Sequence, residues 1–250
     1  MPGTGTLILL RHGQSVFNAE GRFTGLLDPP LTARGRSEAV YAATLISGFG
    51  LHLDDVFTST LMRAVRTAEI VTECLGLSPM PRKVWQLNER NYGSLTGRLK
   101  SELLAEFGPD VLHFWRRSLY GAPPPMDAEA LGELWRTPAL AQLPARAVRG
   151  TESLCEVLKR VREFWHQHLR RQLLSGRHAL IVGHGNSLRA LCLLLDGLSE
   201  GEVERLNFPT GHPLVYELDE RARPLERGGI YLDPQAARSA AKQVTAEGGT

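Results

Sequence analysis

The sequence has few cysteines and no long apolar run. Its three cysteines, Cys74, Cys155 and Cys192, form no C-x-x-C pair and no even set, which argues against a disulfide scaffold and predicts reduced thiols. Only four consecutive apolar residues precede Arg11, too few for a secretory signal, and no stretch approaches the length of a membrane span. We therefore expect a cytoplasmic protein that does not bind membranes.

An excess of charge of either sign is also missing. The 250 residues carry a net charge of +2 at pH 7, which gives no general attraction to nucleic acid. Only four of the 29 basic residues are lysines, so arginine is common and a single arginine is not evidence of function. No Ser/Gly-rich linker divides the chain, and we predict one domain over residues 1–250 with a mobile C-terminal tail from about residue 234.

Two short apolar runs each end in a histidine next to glycine. Residues 7–10 lead into Arg11-His12-Gly13, and residues 179–182 lead into Gly183-His184-Gly185. Apolar runs of this length are typical of buried parallel strands. A third such run, residues 55–58, precedes a helix that carries Arg63 in its first turn.

Strands of this kind alternate with helical patterns along most of the chain. The fold class predicted is α/β, with a doubly wound, mostly parallel sheet flanked by helices. In such sheets ligands bind at the carboxyl ends of the strands, where the two histidines are expected to meet. Helices are predicted over residues 33–47, 61–75, 100–107, 111–119, 128–135 and 154–169, a further helix follows His184, and a later strand covers residues 214–218.

The side chains expected at the strand ends allow two kinds of site. His12, His184 and Glu89, which follows the apolar stretch 84–87, resemble the two-histidine, one-carboxylate set that binds a metal. Arg11 and Arg63 argue against a metal, because fixed positive charges repel a divalent cation and instead neutralise a phosphate. No G-x-x-x-x-G-K-[ST] loop is present, so nucleoside triphosphate chemistry of that type is not expected.

The residues at this edge of the sheet suit phosphoryl transfer in two steps. A neutral His12 in an arginine-lined pocket can attack phosphorus and hold the phosphoryl group covalently. His184 would donate a hydrogen bond to the transferring oxygens. Glu89 would protonate the departing alkoxide and later deprotonate the incoming hydroxyl. The polar loop over residues 14–30 supplies amide, hydroxyl and guanidinium donors suited to a carboxylate or phosphate.

Several segments together carry a family resemblance. They are residues 11–15 with Asn18, residues 22–25, Arg63, residues 87–93, the pair Arg116-Arg117, residues 184–189 and residues 209–217. The Arg-His-Gly motif alone would indicate only a superfamily, whereas the Asn-Glu-Arg-x-Tyr-Gly segment and the arginine pair are more specific. From about residue 7 to residue 233, apart from residues 120–150, the chain resembles the cofactor-dependent phosphoglycerate mutases of the histidine phosphatase superfamily.

The resemblance implies a reaction and a role for each matching residue. It implies that 3-phosphoglycerate and 2-phosphoglycerate are interconverted, primed by 2,3-bisphosphoglycerate and without a metal, by a homodimer or homotetramer. His12 would become phosphohistidine, Glu89 would be proton donor and acceptor, and His184 would stabilise the transition state. The residues implied to hold the reacting phosphoryl group are Arg11, Asn18, Arg63 and Gly185. Those implied to hold the rest of the substrate are Thr24, Gly25, Arg90, Tyr92, Lys100, Arg116, Arg117 and Asn186.

Two positions depart from the family pattern. Gln14 stands where an acidic residue is usual, and Leu26 stands where tryptophan is usual. Both lie in or beside the substrate loop, so they can change the balance between transfer and hydrolysis. Residues 121–150, rich in proline, also lack the expected spacing.

Two alternative functions stay open at this point. One is a phosphohistidine-type phosphatase of small phosphorylated metabolites, in which water takes the phosphoryl group. The pair Arg116-Arg117 and Tyr92 count against it. The other is a catalytically inactive binding module on the same fold, against which the intact His12 and His184 argue.

Overall fold

The computed structural model of the protein describes residues 4–77 and 80–246, which are built around a six-stranded sheet. The strands are Thr6–Arg11 (β1), Asp55–Thr58 (β2), Arg82–Lys83 (β3), Ala179–Gly183 (β4), Leu214–Glu217 (β5) and Ile230–Tyr231 (β6). Their order across the sheet is β3-β2-β4-β1-β5-β6. Neighbouring strands from β3 to β1 run parallel, whereas β5 and β6 pair antiparallel. The predicted mostly parallel α/β sheet is confirmed.

Helices cover both faces of this sheet. They are Val16–Ala19 (α1), Ala33–Phe49 (α2), Met62–Cys74 (α3), Lys100–Arg117 (α4), Ala128–Trp135 (α5), Leu154–Phe164 (α6), Arg170–Leu174 (α7), Gly185–Asp196 (α8), Glu200–Arg205 (α9) and Pro234–Ala246 (α10). Short 3₁₀ turns lie at Trp85–Leu87, Gly93–Leu95 and Ala145–Ala147, and a π-turn at Trp165–Leu169 joins α6 to α7.

Strand β1 shows how the two helical layers are held. Leu7 and Leu9 pack with α6 and α8, whereas Ile8 and Leu10 pack with α2 and α3 on the opposite face. All four side chains are fully buried, as the alternation of a strand requires when both faces of the sheet are covered. An uninterrupted apolar run is therefore the sequence that this central strand needs.

The register of the parallel strands brings their carboxyl ends together. Arg11 of β1 lies opposite Gly183 of β4, and the backbone N–H of His12 donates to the carbonyl oxygen of Gly183 at 3.1 Å. Strand β2 pairs with the other side of β4, with Thr58 opposite Val182. The residues that follow β1, β4 and β2 consequently start from one edge of the sheet.

Several predicted elements differ from the observed ones. The apolar stretch over residues 84–87 forms a 3₁₀ turn, and the strand beside it is only β3. The two helices predicted at 100–107 and 111–119 are joined in α4, which breaks its helical geometry at Gly108 (φ 76°) just before Pro109. The helix predicted at 128–135 is confirmed as α5.

The C-terminal segment contains a regular element that the sequence did not predict. Where a mobile tail was predicted from about residue 234, the structure places helix α10. The last residues of the predicted tail, 247–250, lie outside the described part of the chain. Among the helices in residues 4–77 and 80–246, none is both long and apolar enough to cross a membrane.

Candidate active site

His12 lies just past the end of β1 and is 2% exposed. Its Nδ1 is 2.7 Å from the carbonyl oxygen of Gly13, which can only accept, so Nδ1 carries the ring proton. Arg63 Nε donates to the other ring nitrogen, Nε2, at 3.3 Å. Burial, followed by the positive charges of Arg63 and Arg11, holds the pKa of His12 well below its ordinary value. The imidazole is therefore neutral at pH 7 and has its lone pair on Nε2.

Two arginines supply positive charge beside this imidazole. Arg63, in the first turn of α3, is 1% exposed and also donates to the carbonyl oxygens of Leu27 at 2.7 Å and Gly25 at 2.9 Å. Burial lowers the pKa of Arg63 to about 10, which still leaves the guanidinium protonated at pH 7. Arg11, the last residue of β1, donates to the carbonyl oxygen of Phe208 at 2.7 Å. The pocket thus favours an anion.

Gly13 lets the loop after β1 pack closely on α2. A Cβ at Gly13 would clash with the backbone of Gly35, and a Cβ at Gly35 would clash with the backbone of Gln14. The N–H of Gly13 donates to Thr67 Oγ1 at 3.1 Å. This close packing fixes the backbone that carries His12.

His184 follows β4 and lies against His12, with ring centroids 4.9 Å apart. Its Nε2 is 2.7 Å from Ser59 Oγ, and both residues are fully buried. Burial, followed by the charges of Arg63 and the other basic groups nearby, holds the pKa of His184 well below its ordinary value. His184 is therefore also neutral at pH 7.

Ser59 determines which nitrogen of His184 carries the proton. One lone pair of Ser59 Oγ accepts the N–H of Leu61 at 3.2 Å. The hydroxyl proton has no acceptor other than His184 among residues 4–77 and 80–246, so we assign its donation to Nε2. Nδ1 then carries the proton of the neutral ring. This nitrogen is buried and has no hydrogen-bond partner within the described chain.

Glu89 follows the 3₁₀ turn at Trp85–Leu87 and is 8% exposed. Its Oε1 accepts two hydrogen bonds, from the backbone N–H of Arg90 at 2.7 Å and from Asn186 Nδ2 at 3.0 Å. Asn186 Nδ2 also donates to the hydroxyl oxygen of Tyr92 at 2.8 Å. Asn186 belongs to α8, which begins directly after His184. Helix α8 therefore orients the carboxylate of Glu89.

A buried ion pair fixes the backbone that carries Glu89. Arg160 of α6 donates to the carbonyl oxygens of Gln86 at 2.7 Å, Asn88 at 2.8 Å and Glu89 at 3.2 Å. The same guanidinium pairs with Glu152 at 3.0 Å. These contacts satisfy the carbonyl groups of a segment that forms no strand.

Many of the residues described above line a pocket that opens to solvent and holds about 410 Å³ of empty space. Arg22 and Phe23 form part of its wall. The predicted site residues that line it are Arg11, His12, Asn18, Thr24, Gly25, Arg63, Glu89, Tyr92, Lys100 and Arg116. The end of β1, the polar loop, the first turn of α3, the segment after the turn at Trp85–Leu87 and both ends of α4 therefore meet at one pocket.

Five predicted residues stand behind this wall. His184 contacts His12, Asn186 contacts Glu89 and Tyr92, and Gly185 is the first residue of α8. The remaining two are arginines.

Arg90 and Arg117 both bind backbone carbonyl groups. Arg90 donates to the carbonyl oxygen of Trp115 at 2.5 Å and stacks over the ring of Tyr92 at 4.6 Å. Arg117 donates to the carbonyl oxygens of Glu204 at 2.7 Å and Leu206 at 2.9 Å. The structure therefore does not bring the guanidinium of Arg90 to the pocket wall, where the sequence placed it.

Comparisons with known proteins agree with this geometry. Residues 7–229 match the histidine phosphatase superfamily, branch 1. The chain belongs to this family. It is 43% identical to a 2,3-bisphosphoglycerate-dependent phosphoglycerate mutase of Thermobifida fusca, over 97% of this chain and 99% of the relative. It is 46% identical to the protein of the same description from Nitratidesulfovibrio vulgaris, over 97% of this chain and 98% of the relative.

Solved structures of similar proteins share the fold. Bacillus stearothermophilus YhfR superposes with a TM-score of 0.68 at 24% identity, covering 91% of this chain and 98% of its own. A mycobacterial glucosyl-3-phosphoglycerate phosphatase in complex with VO3 superposes with a TM-score of 0.65 at 25% identity, covering 85% and 92%. Phosphatases are thus among the structural neighbours of this member of the histidine phosphatase superfamily.

Some residues of this site were not identified from the sequence. Ser59 directly follows β2, so the rule that ligands bind at strand ends could have singled it out. Arg160 and Glu152 gave no signal of their own, and Arg189 entered only as the last residue of the motif at residues 184–189, without a role. Each is buried by contacts with segments that are distant in sequence.

The two departures from the family pattern have local explanations. Leu26 is 2% exposed and packs with Leu134 and Leu140, so residues 121–150 cover the side chain at this position. Gln14 Oε1 accepts the hydroxyl of Thr32 at 2.9 Å, while its backbone N–H donates to Glu38 at 2.8 Å. An amide at residue 14 avoids the repulsion that a second carboxylate would meet beside Glu38.

Lowering the pH from 7 to 5 should reduce the free energy of unfolding. The pKa values of His12 and His184 lie well below the ordinary 6.5, so below that pH the unfolded chain binds protons that the folded chain does not. Stability is therefore lost as the pH falls, by about 1.4 kcal/mol per pH unit for each histidine. Urea titrations at pH 7, 6 and 5 measure this slope. H12N should make the decline shallower and H52N, at an exposed histidine, should not; equal slopes in all three proteins would contradict the prediction.

Proposed function

We propose that this protein interconverts 3-phosphoglycerate and 2-phosphoglycerate through a phosphohistidine at His12, primed by 2,3-bisphosphoglycerate. The observation that carries the proposal is the neutral, buried His12, whose Nε2 lone pair lies beside Arg63 in a pocket shared with the carboxylate of Glu89. The near full-length relatives described as 2,3-bisphosphoglycerate-dependent phosphoglycerate mutases support the choice of substrate.

His12 acts as the nucleophile. Its Nε2 forms a bond to phosphorus while the bond from phosphorus to the substrate oxygen breaks. The Nδ1–H group keeps donating to the carbonyl oxygen of Gly13 and so holds the ring orientation. Arg11 and Arg63 neutralise the phosphoryl oxygens, and the Nδ1–H group of His184 donates a hydrogen bond to them as their charge develops.

Glu89 moves the proton of the substrate hydroxyl. In its protonated form it donates to the alkoxide that leaves phosphorus, and the resulting carboxylate then takes the proton from the hydroxyl that returns to attack. Reattack at the neighbouring hydroxyl produces the isomer. The same carboxyl group serves both directions, so the enzyme returns to its starting state after each cycle.

The pocket fits a ligand with several negative charges. Its wall combines the guanidinium groups of Arg11, Arg63 and Arg116 with the ammonium of Lys100, and the hydroxyl of Thr24 adds a neutral donor. When bound, 2,3-bisphosphoglycerate would supply the phosphoryl group that His12 carries. The cationic residues would hold its remaining phosphate and carboxylate.

Phosphorus NMR tests this function directly. The purified protein is mixed with 3-phosphoglycerate, a trace of 2,3-bisphosphoglycerate and a chelator. We expect a growing 2-phosphoglycerate signal that depends on the primer. Inorganic phosphate as the main product would replace the proposal by phosphatase activity, the alternative favoured by the solved phosphatase structures of similar fold.

Replacing Ser59 by alanine should slow catalysis without unfolding the protein. The variant loses the hydroxyl that donates to His184 Nε2, so the ring no longer keeps its proton on Nδ1. We expect kcat to fall about 10²-fold with little change in KM, the lower end of the range for removal of one transition-state donor. Nitrogen-15 NMR of the histidine rings should show a changed tautomer at His184. An unchanged tautomer with wild-type kcat would contradict the assignment, and S101A, on α4, serves as the control.

We extend the proposal to the organisation of the protein. It is a homo-oligomer, a dimer or tetramer, of a single-domain chain that acts in the cytoplasm without a metal. The positive charges of Arg63 and Arg11 beside His12 favour an anion over a divalent cation, and the family resemblance supports the assembly. Light scattering measures the mass in solution. Activity that chelator removes and a divalent cation restores would revive the metal site.

A further inference from the structure

Arg189 of α8 is fully buried and lies outside the pocket wall. Its Nη2 donates to the carbonyl oxygens of Val203 at 2.7 Å and Arg117 at 2.9 Å, and its Nε also donates to Val203 at 3.1 Å. Both carbonyl groups lie at the C-terminal ends of helices, α9 and α4, where the helix dipole is negative. These contacts stabilise the buried charge and leave one nitrogen of the guanidinium, Nη1, to donate elsewhere.

The remaining donor determines the orientation of Asn186. Arg189 Nη1 lies 3.0 Å from Asn186 Oδ1. A guanidinium can only donate, so Asn186 must turn its oxygen toward Arg189 and its nitrogen toward Glu89 and Tyr92. The flipped amide would place its NH₂ group against the guanidinium and its oxygen against the carboxylate. Arg189 therefore selects one of two amide orientations.

This orientation decides which substrate-facing atoms stay available. Glu89 Oε1 accepts both Asn186 Nδ2 and the N–H of Arg90, while Oε2 has no hydrogen-bond donor within the described residues. Tyr92 receives a hydrogen bond from Asn186 on its oxygen, so its own proton remains to be donated. Oε2 of Glu89 is thus left for proton transfer, and the hydroxyl proton of Tyr92 is left to bind the substrate.

We propose that Arg189 is a positioning residue for phosphoryl transfer. By fixing the amide of Asn186, it makes Glu89 present Oε2 and Tyr92 present its hydroxyl proton to the substrate. Arg189 itself does not touch the substrate. The inference rests on the function proposed above, because it explains what holds the proton-transfer group, the carboxylate of Glu89, in position.

A double-mutant cycle between Arg189 and Asn186 tests this role. R189M keeps an unbranched side chain that donates nothing, and R189K keeps the charge but not the planar set of donors. We expect kcat to fall about tenfold in either variant, with a smaller change in KM. In an N186A background the same substitutions should cost less than twofold more, because the group through which Arg189 acts is already gone. R162M, at an exposed arginine of α6, should keep wild-type kcat.

A second readout needs no substrate. Nitrogen-15 NMR of the Asn186 side-chain amide should show one orientation in the wild type and exchange between two in R189K. Wild-type kcat in a folded Arg189 variant would overturn the proposal. So would a double variant in which the Arg189 substitution lowers kcat by the same factor as it does in the presence of Asn186. If R189M does not fold, R189K carries the test.

The two possible failures can be told apart. If the wild-type protein releases inorganic phosphate and forms no 2-phosphoglycerate, the proposed function has failed. The double-mutant cycle between Arg189 and Asn186 can still be measured from the rate of phosphate release, because hydrolysis needs the same proton transfers. Failure of the Arg189 proposal shows only in the comparison of the variants.

Discussion

Replacing His12 by asparagine should abolish the phosphoenzyme and lower turnover by at least about 10⁴-fold, as expected when a covalent nucleophile is removed. Asparagine can keep a donor near the carbonyl oxygen of Gly13 but offers no nitrogen lone pair to phosphorus. Incubation with phosphorus-32-labelled 2,3-bisphosphoglycerate, followed by gel separation under alkaline conditions, measures the label on the protein. The wild type should carry one acid-labile phosphoryl group per chain.

The hydrogen bonds of His12 also predict which of its ring nitrogens is phosphorylated. Nδ1 of His12 is committed to Gly13, so phosphorus-31 NMR of the unlabelled phosphoenzyme should place phosphorus on Nε2. H52N, at an exposed histidine, is the matched control and should keep both the label and the turnover. Label that persists in H12N would remove His12 as the nucleophile. Phosphorus on Nδ1 would instead show that the ring turns before it reacts.

The parts of the site that follow strands could be predicted from the sequence. Runs such as residues 7–10 and 179–182 are long enough only for buried strands, and parallel strands bring their carboxyl ends to one edge. The neighbouring positions of His12 and His184 therefore follow from short-range pattern and fold class. The helix caps of the same layers, at Thr32 and Ser153, follow from local hydrogen bonding and are observed.

The parts of the site held by buried arginines could not be predicted. Among 25 arginines, Arg160 and Arg189 differ from surface arginines only in the carbonyl oxygens that surround them. Those acceptors come from segments such as residues 86–89 and Val203, which become neighbours only after folding. No spacing along the chain carries that information. The turn at Trp85–Leu87 was missed for the same reason, since Arg160 satisfies its carbonyl groups from another helix.

Replacing Glu89 by glutamine should lower kcat about 10²- to 10⁴-fold, the range for losing a general acid and base, and should leave the melting temperature nearly unchanged. Glutamine keeps an oxygen that can accept from Arg90 and Asn186, so the contacts that orient the side chain survive. KM should not rise, because the substrate is anionic and the variant removes a negative charge from its pocket. Steady-state kinetics and thermal unfolding of the same preparations measure these three quantities.

Phosphoenzyme measurements separate proton transfer from binding in this variant. If Glu89 protonates the departing alkoxide, E89Q should form the phosphohistidine slowly and also return it slowly to phosphoglycerate, because one carboxyl group serves both half-reactions. E133Q, at an exposed position on α5, should match the wild type in both rates. Unchanged turnover in E89Q would exclude Glu89 from proton transfer. Slow turnover together with a large drop in melting temperature would instead show that the carboxylate has mainly a structural role. It would then stabilise the contact between α8 and the segment that follows the turn at Trp85–Leu87.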